Sequence, residues 1–264
     1  MKELKYISFD GAIGDTLGLT ALPEYFNELK NIDWYTESFG IDILKNNPHV
    51  KNLSTPRLHP ANIEPCRVYS CNIIQHYCNQ IGLNYSKTMT PKLYFTDEEI
   101  LKAKSILGDI PEKIVALCLK SSADSRDVRY SNVSSLLDLL KKDGFSIVAI
   151  GKDYIDDYDG LFTKNLTGKT TLREVFSILK LSSCYLGVDT GLFHASAACG
   201  IPQFVFFRNN GCSNNAYHNT YFIESNMNCP QECYTSGVAV CPSNKRCMDY
   251  FDYEKYYTII KQSI

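Results

Sequence analysis

Short apolar runs alternate with polar turns and amphipathic stretches along most of the 264-residue chain. Four of the apolar runs have the length and content typical of buried strands, and they begin at Tyr6, Ile114, Ser146 and Cys184. Each is followed by a polar turn, and amphipathic stretches with apolar positions three and four residues apart come after these turns. The alternation of strand and helix predicts an α/β fold with parallel sheets.

The pattern divides the chain near residue 110. In the first part, Leu17 to Leu29 has a helical apolar face that Pro23 interrupts, and further helices are predicted over 70–81 and 96–107. Gly108 to Lys113 then contains Gly and Pro and precedes a new series of strands and helices. We therefore predict two domains, residues 1–110 and residues 111–264.

The turn after the strand that begins at Cys184 is a candidate anion site. Asp189, Thr190 and Gly191 interrupt the apolar run, and a predicted helix follows up to Cys199. The first N–H groups of a helix have no partner within it and carry partial positive charge, and His194 adds a donor one turn further on. The alternative is that Asp189 only caps the helix and His194 only packs in the core.

Two other turns contain side chains suited to chemistry. Asp15 follows the first strand, so it is either a helix cap or a carboxylate facing a cleft at the carboxyl ends of the strands. The loop 120–130 combines serine hydroxyls with two arginines, and such donors bind phosphate oxygens well. A solvated loop is the alternative for that segment.

Composition excludes several classes of protein. The net charge is −2, so the chain has no general basic field for nucleic acid or for an anionic membrane surface. No apolar run approaches the ~20 residues of a membrane span, and the first ten residues are typical of a strand rather than a signal peptide. We expect a cytoplasmic protein in which the eleven cysteines are mostly reduced or metal-bound.

Two longer motifs resemble the family 9 glycosyltransferases, which are heptosyltransferase-like enzymes. They are NLTGKTTLRE at residues 165–174 and GVDTGLFHASAACGIP at residues 187–202. Weaker similarities are Gly14-Asp15 after the first strand, the segment 46–50, and Arg129-Tyr130. The resemblance implies two Rossmann-like domains facing a cleft, the GT-B fold. The chain is shorter than is usual for the family, which implies a shortened N-terminal domain and leaves the acceptor least defined.

The resemblance also implies roles for residues. Asp15 is similar to the base that takes a proton from the acceptor hydroxyl in an inverting sugar transfer, with no metal or other cofactor in the chemistry. The donor would be a nucleotide-diphosphate sugar such as ADP-heptose, and the acceptor a bacterial surface glycan such as lipopolysaccharide core. Peripheral membrane association is a further expectation. The predicted donor-binding residues are Ser121, Ser122, Arg129, Asp153, Asp189, Thr190, Gly191 and His194.

Two other functions stay open at this point. A nucleotide-sugar epimerase on the same scaffold would also use a cleft carboxylate and a diphosphate site. A catalytically silent module that binds a nucleotide sugar or a protein would fit the shortened first domain.

The C-terminal part contains a cysteine-rich segment, residues 229–247, and a predicted terminal helix after it. Its cysteines are a candidate tetrahedral site for structural zinc or iron, with disulfides or free thiols as alternatives. The four thiols are those of Cys229, Cys233, Cys241 and Cys247. In the resembling fold the terminal helix often crosses back to the first domain.

Asp157-Tyr-Asp159 is similar to the metal-binding DxD of another glycosyltransferase fold, but a surface turn is favoured.

Overall fold

A computed structural model describes residues 4–55, 60–66, 71–157, 159–207, 216–227 and 246–264. Its strands form two parallel sheets, one before and one after residue 110. The predicted α/β class is confirmed. The domain boundary at residue 110 falls between the two sheets and stays a prediction.

The first sheet contains three parallel strands in the order β1-β2-β3. These are β1 (Tyr6–Ser8), β2 (Ile32–Tyr35) and β3 (Val50–Ser54). Three helices belong to this lobe: α1 (Ile13–Leu19), α2 (Leu22–Tyr25) and α3 (Ser38–Leu44). The single helix predicted from Leu17 onward is therefore wrong. Pro23 lies in the first turn of α2, where its missing N–H costs nothing, so the chain ends one helix and begins another.

The second sheet contains six parallel strands in the order β6-β5-β4-β7-β8-β9. They are β4 (Ile114–Cys118), β5 (Ser146–Ala149), β6 (Lys164–Asn165), β7 (Cys184–Val188), β8 (Gln203–Phe206) and β9 (Thr220–Ile223). The helices α6 (Ser134–Lys142), α7 (Leu172–Lys180) and α8 (Gly191–Cys199) connect or follow these strands. Every residue of β4, β5, β7 and β8 is buried, as expected for parallel strands covered on both faces.

Two helices link the sheets, α4 (Ile73–Ile81) and α5 (Asp97–Leu107). The predicted capping box of α5 is present, because the Thr96 hydroxyl accepts from the Glu99 N–H at 3.3 Å and a Glu99 oxygen accepts from the Thr96 N–H at 3.0 Å.

The terminal helix α9 (Tyr253–Ser263) is present. Tyr256 and Ile260 pack in the core beside α6, and the Tyr257 hydroxyl donates to Asp143 at 2.6 Å. The helix therefore lies on the second lobe, and the expectation that it crosses back to the first domain is wrong. Within the described residues, no helix has the length and apolar content needed to cross a membrane.

One hydrophobic core extends over both lobes. Ile7 and Trp34 of the first sheet belong to the same buried cluster as Phe176 of α7 and Phe193 of α8. A second cluster, around α6 and α9, covers the other face of the second sheet. The lobes are therefore joined by apolar packing as well as by the chain.

Candidate functional site

A groove of about 950 Å³ lies where the carboxyl ends of strands from both sheets meet. Open α/β folds bind their ligands at such strand ends. Eight of the nine residues predicted for catalysis and donor binding line this groove. They are Asp15, Ser121, Ser122, Asp153, Asp189, Thr190, Gly191 and His194. Their roles as site residues stay predictions, but the fold brings them together.

Asp15 lies in the first turn of α1, and its two carboxylate oxygens have different partners. One oxygen accepts from the backbone N–H of Ala12 at 3.1 Å, and the other accepts from the hydroxyl of Tyr77 at 3.3 Å. Burial raises the pKa of Asp15 above its ordinary value, although these two donors, the nearby His194 and the backbone of Cys66 oppose the rise. A carboxylate with a raised pKa is a better proton acceptor than an exposed one.

The N-terminus of α8, the predicted anion site, lines the groove. Thr190 is the N-cap, and its hydroxyl accepts from the N–H of Leu192 at 3.1 Å. Gly191 lies against α1, because a Cβ built on it would come within 2.9 Å of Cβ of Ile13. This close approach puts the positively polarised end of α8 beside the helix that carries Asp15.

His194 lies beneath the same helix crossing. A Cβ built on Gly14 would come within 2.7 Å of Cδ2 of His194, so only glycine leaves room for the imidazole there. The ring is buried, its Nδ1 lies 2.7 Å from the hydroxyl of Tyr217, and burial lowers its pKa. The imidazole is therefore neutral at neutral pH. When the Tyr217 hydroxyl is the donor, Nε2 carries the proton and is the remaining donor of the ring.

The loop after β4 places its hydroxyls and one of its two arginines at the groove. Arg126 donates to the backbone carbonyl of Asp189 at 3.0 Å and to the hydroxyl of Ser122 at 3.2 Å. Its guanidinium also lies 3.8 Å from a carboxylate oxygen of Asp189. The Ser121 N–H donates to Asp127 at 2.7 Å, which fixes the turn. Arg126 is therefore the guanidinium that lines the groove.

Arg129 is the arginine that the sequence predicts for donor binding, and the structure does not bring it to the groove. Its side chain is 62% exposed, and its guanidinium lies 3.7 Å from a carboxylate oxygen of Asp249. Arg129 is not one of the described residues that line the groove. The chain between the two arginines is short and irregular, so side chains three residues apart need not share a side.

Some residues in or behind the groove have no signal in the sequence. Tyr77 lies behind the groove, where it bonds Asp15, and as a fully buried residue on α4 it resembles any other apolar position of that helix. Lys120 and Lys152 line the groove and add positive charge to its second-lobe wall. Arg126 could have been found, because it lies in the same polar loop as Ser121 and Ser122.

The predicted metal site lies mostly outside the described residues. Cys229, Cys233 and Cys241 fall in the segment that the structure does not describe, and Cys247 is buried. In the described ranges, no group of three or more His, Cys, Asp or Glu side chains is arranged to hold a metal ion.

Of the motif Asp157-Tyr-Asp159, the structure describes the two aspartates: Asp159 is exposed, and Asp157 bonds the turn that follows it. The Asp157 carboxylate accepts from the hydroxyl of Tyr130 at 2.9 Å and from the N–H groups of Leu161 and Phe162 at 2.7 and 2.9 Å. Its oxygens are therefore used in holding the turn.

The groove thus combines a buried carboxylate with a set of positively polarised groups. Asp15 provides the carboxylate, and the α8 N–H groups, Arg126 and the two lysines provide positive charge. Such an arrangement can remove a proton from one reactant while it stabilises negative charge that develops on another.

Solved structures with a similar fold are glycosyltransferases. A family 9 glycosyl transferase from Veillonella parvula superposes with a TM-score of 0.72 at 13% identity, covering 97% of this chain and 95% of that one. The iron-containing dodecameric glycosyltransferase TibC from enterotoxigenic E. coli gives 0.75 at 16% identity, covering 99% and 76%. TibC is also known in complex with ADP-D-beta-D-heptose. The E. coli ADP-heptose lps heptosyltransferase II gives 0.61 at 12% identity, covering 98% and 100%.

These likenesses confirm the predicted fold, the two-lobed GT-B arrangement. None of the curated proteins compared with this chain was similar enough to match. A sequence model of glycosyltransferase family 9 (heptosyltransferase) matches residues 71–214, which is more than half of the chain. The chain therefore belongs to glycosyltransferase family 9, and the protein is a glycosyltransferase.

Proposed function

We propose that the protein transfers a heptose or hexose, with inversion, from a nucleotide-diphosphate sugar to a hydroxyl of a bacterial surface glycan such as lipopolysaccharide core. One observation carries the proposal: the Asp15 carboxylate and the N-terminus of α8 line the same groove, where α1 and α8 cross in close contact. A donor and an acceptor bound together in this groove would therefore contact both the Asp15 carboxylate and the N-terminus of α8.

Asp15 is the proposed base. Its carboxylate accepts the proton of the acceptor hydroxyl while the acceptor oxygen forms a bond to the anomeric carbon of the donor. The bond from that carbon to the diphosphate oxygen breaks on the opposite face, so the configuration inverts. Burial, which raises the pKa of Asp15, favours this proton transfer.

The leaving nucleoside diphosphate carries the electron pair of the broken bond. Backbone N–H groups at the start of α8, the Thr190 hydroxyl and the Arg126 guanidinium are the proposed partners of its oxygens. Because these groups are already held in position, they stabilise the charge without reorganising. Groups of the chain itself stabilise the negative charge on the leaving diphosphate, so we propose a reaction that needs no metal ion.

The donor and acceptor are proposed from similarity. TibC binds ADP-D-beta-D-heptose, and the E. coli relative is named an ADP-heptose lps heptosyltransferase, which supports ADP-heptose as the first donor to try. A cytoplasmic location and peripheral membrane association stay predictions.

The proposal is tested by nucleoside diphosphate release with candidate acceptors. We expect Asp15→Asn to lower the rate at least ~100-fold with little change in donor affinity, because the variant lacks the base. The wild-type kcat/KM should fall as the pH drops through the raised pKa of Asp15, since only the ionised carboxylate accepts a proton. Asp10→Asn is the matched control, because Asp10 is exposed and is not a described lining residue.

Other outcomes would favour the other functions. Modified nucleotide sugar formed without any acceptor would favour an epimerase. Donor binding without turnover, unchanged in Asp15→Asn, would favour a silent module. Equal rates for Asp15→Asn and wild type would remove Asp15 from the mechanism.

We propose that the cysteine-rich segment holds a structural zinc or iron ion through Cys229, Cys233, Cys241 and Cys247. Four thiolates are a donor set that suits both metals, and TibC is described as iron-containing. Cys247, the described member of the set, lies buried beside Met248 in the second-lobe core. Metal analysis of the reduced protein tests this proposal.

A further inference from the structure

The environment of Asp15 contains one hydrogen-bond donor from a different helix. Tyr77 of α4 donates its hydroxyl to one carboxylate oxygen at 3.3 Å, while the Ala12 N–H of the α1 N-cap bonds the other at 3.1 Å. A carboxyl group held through both oxygens cannot rotate freely about its bond to Cβ. Its remaining lone pairs keep a fixed direction.

The Tyr77 ring is itself held rigidly. It is fully buried, and it makes edge-on contacts with the rings of Phe9 and His76. The ring centroids are 5.7 Å apart for Phe9 and 5.5 Å apart for His76. A Cβ built on Gly18 would come within 3.1 Å of its Cε2, so the ring lies directly against α1. The hydroxyl therefore has a single position relative to the helix that carries Asp15.

The helix α4 is also anchored to the second lobe. The side chain of its N-cap, Asn72, accepts from the Ile74 N–H at 2.9 Å and donates to the carbonyl of Ala216 at 3.2 Å. The next residue, Tyr217, contacts His194. Tyr77 thus reaches Asp15 from an element whose position depends on both walls of the groove.

We propose that Tyr77 is a positioning residue for the base, which fixes the Asp15 carboxylate so that a free lone pair faces the acceptor hydroxyl. The inference rests on the proposed role of Asp15. A base aligned in advance loses less free energy on reaching the transition state, since orientation is already set.

The hydrogen bond from the Tyr77 hydroxyl also affects the pKa of Asp15. The titratable groups that face it are Tyr77 from α4 and His194 from α8. Both lower the pKa of Asp15, as do the backbone hydrogen bonds from Ala12 and from Cys66 in the loop before α4, and burial opposes all of these effects. A hydrogen bond donated to the ionised carboxylate favours that form and lowers its pKa. Removing the hydroxyl should therefore raise the pKa of Asp15 further.

The test compares Tyr77→Phe with Tyr130→Phe. Tyr130 is a matched control, because it is also buried and also donates to an aspartate, but that aspartate, Asp157, does not line the groove as Asp15 does. For Tyr77→Phe we expect kcat at neutral pH to fall ~10-fold or more, the factor for one hydrogen bond to a charged group. The donor KM should stay within about twofold, and the acid limb of the kcat profile should move to higher pH.

A purely structural role predicts something different. Tyr77→Phe would then behave as Tyr130→Phe does, with lower stability but unchanged kcat and an unchanged pH profile, and the proposal would be overturned. In the Asp15→Asn background, adding Tyr77→Phe should leave the residual rate unchanged, because there is no base left to position. An Asp15→Asn enzyme with full activity would instead contradict the proposed function itself.

A second substitution covers the case in which Tyr77→Phe does not fold. Placing 3-fluorotyrosine at position 77 keeps the ring and hydroxyl but makes the hydroxyl a stronger donor. The acid limb should then move to lower pH. An acid limb that does not move would count against Tyr77 as the donor that sets the behaviour of Asp15.

Discussion

Arg126 and Arg129 differ in what they contact, although both belong to the loop after β4. Arg126 bonds Asp189, which is 63 residues further along the chain, and Arg129 pairs with Asp249, which is more distant still. A cluster of hydroxyls and guanidiniums was predictable from the loop alone. Which guanidinium faces the groove depends on these distant partners, and no local pattern contains that information.

The two arginines make a matched pair of variants. We expect Arg126→Ala to weaken donor binding by about 1.5–3 kcal/mol, the range for a hydrogen bond to a charged group. Arg129→Ala removes the same side chain from a site that is 62% exposed and should leave donor affinity unchanged. Titration of ADP-heptose by calorimetry measures both. If Arg129→Ala weakened binding and Arg126→Ala did not, the assignment would be reversed.

Among the strands and helices, the buried strands and the capped helices follow well from the pattern of apolar and polar residues along the chain. The strands β4, β5 and β7 and the capping box of α5 have clear local signatures. The strands β2 and β9 are among those that the pattern does not predict. Asp33 interrupts the four-residue strand β2, and β9 is a short edge strand whose Tyr221 is exposed, so neither forms a buried apolar run.

The helices α5 and α7 are joined by a largely buried ion pair that the sequence did not reveal. Arg173 of α7 bonds both carboxylate oxygens of Glu99 on α5, at 2.9 and 2.6 Å. Arg173 also donates to the carbonyls of Asp42 and Tyr94, and it stacks on the ring of Phe95. This bidentate pair fixes the helix that links the two lobes against the second lobe.

We expect Glu99→Gln to lower the free energy of unfolding by about 3 kcal/mol at pH 7, because Arg173 would keep a buried charge without its partner. The bond with Arg173 lowers the pKa of Glu99, so its contribution is present above the unfolded value and is lost as the pH falls through the folded value. The difference in unfolding free energy between the variant and the wild type should therefore become smaller at acid pH. Denaturant unfolding at several pH values measures it, with the exposed neighbour Glu98→Gln as control. If the loss of unfolding free energy in Glu99→Gln did not depend on pH, the charge of Glu99 would not be the cause of that loss.

At the scale of the molecule, the two predicted domains share one core. The residues buried on the three-stranded sheet pack in one cluster with residues from helices of the second lobe. Two sheets on either side of residue 110 could be predicted from the alternation of elements. The shared core could not, because packing between lobes leaves no periodic signal in either half.

The shared core predicts that the lobes unfold together. Trp34, the one tryptophan of the chain, is buried in β2, so its fluorescence reports on the first lobe, while far-UV circular dichroism is dominated by the helices of both. We expect the two signals to give one coincident denaturant transition. Phe193→Ala, a change in α8 of the second lobe, should move both midpoints equally, at a cost of about 3–5 kcal/mol, because Phe193 and Trp34 belong to the same cluster. If the tryptophan transition stayed in place while the other moved, the lobes would be independent domains, and the groove between them would owe its shape to the linking chain alone.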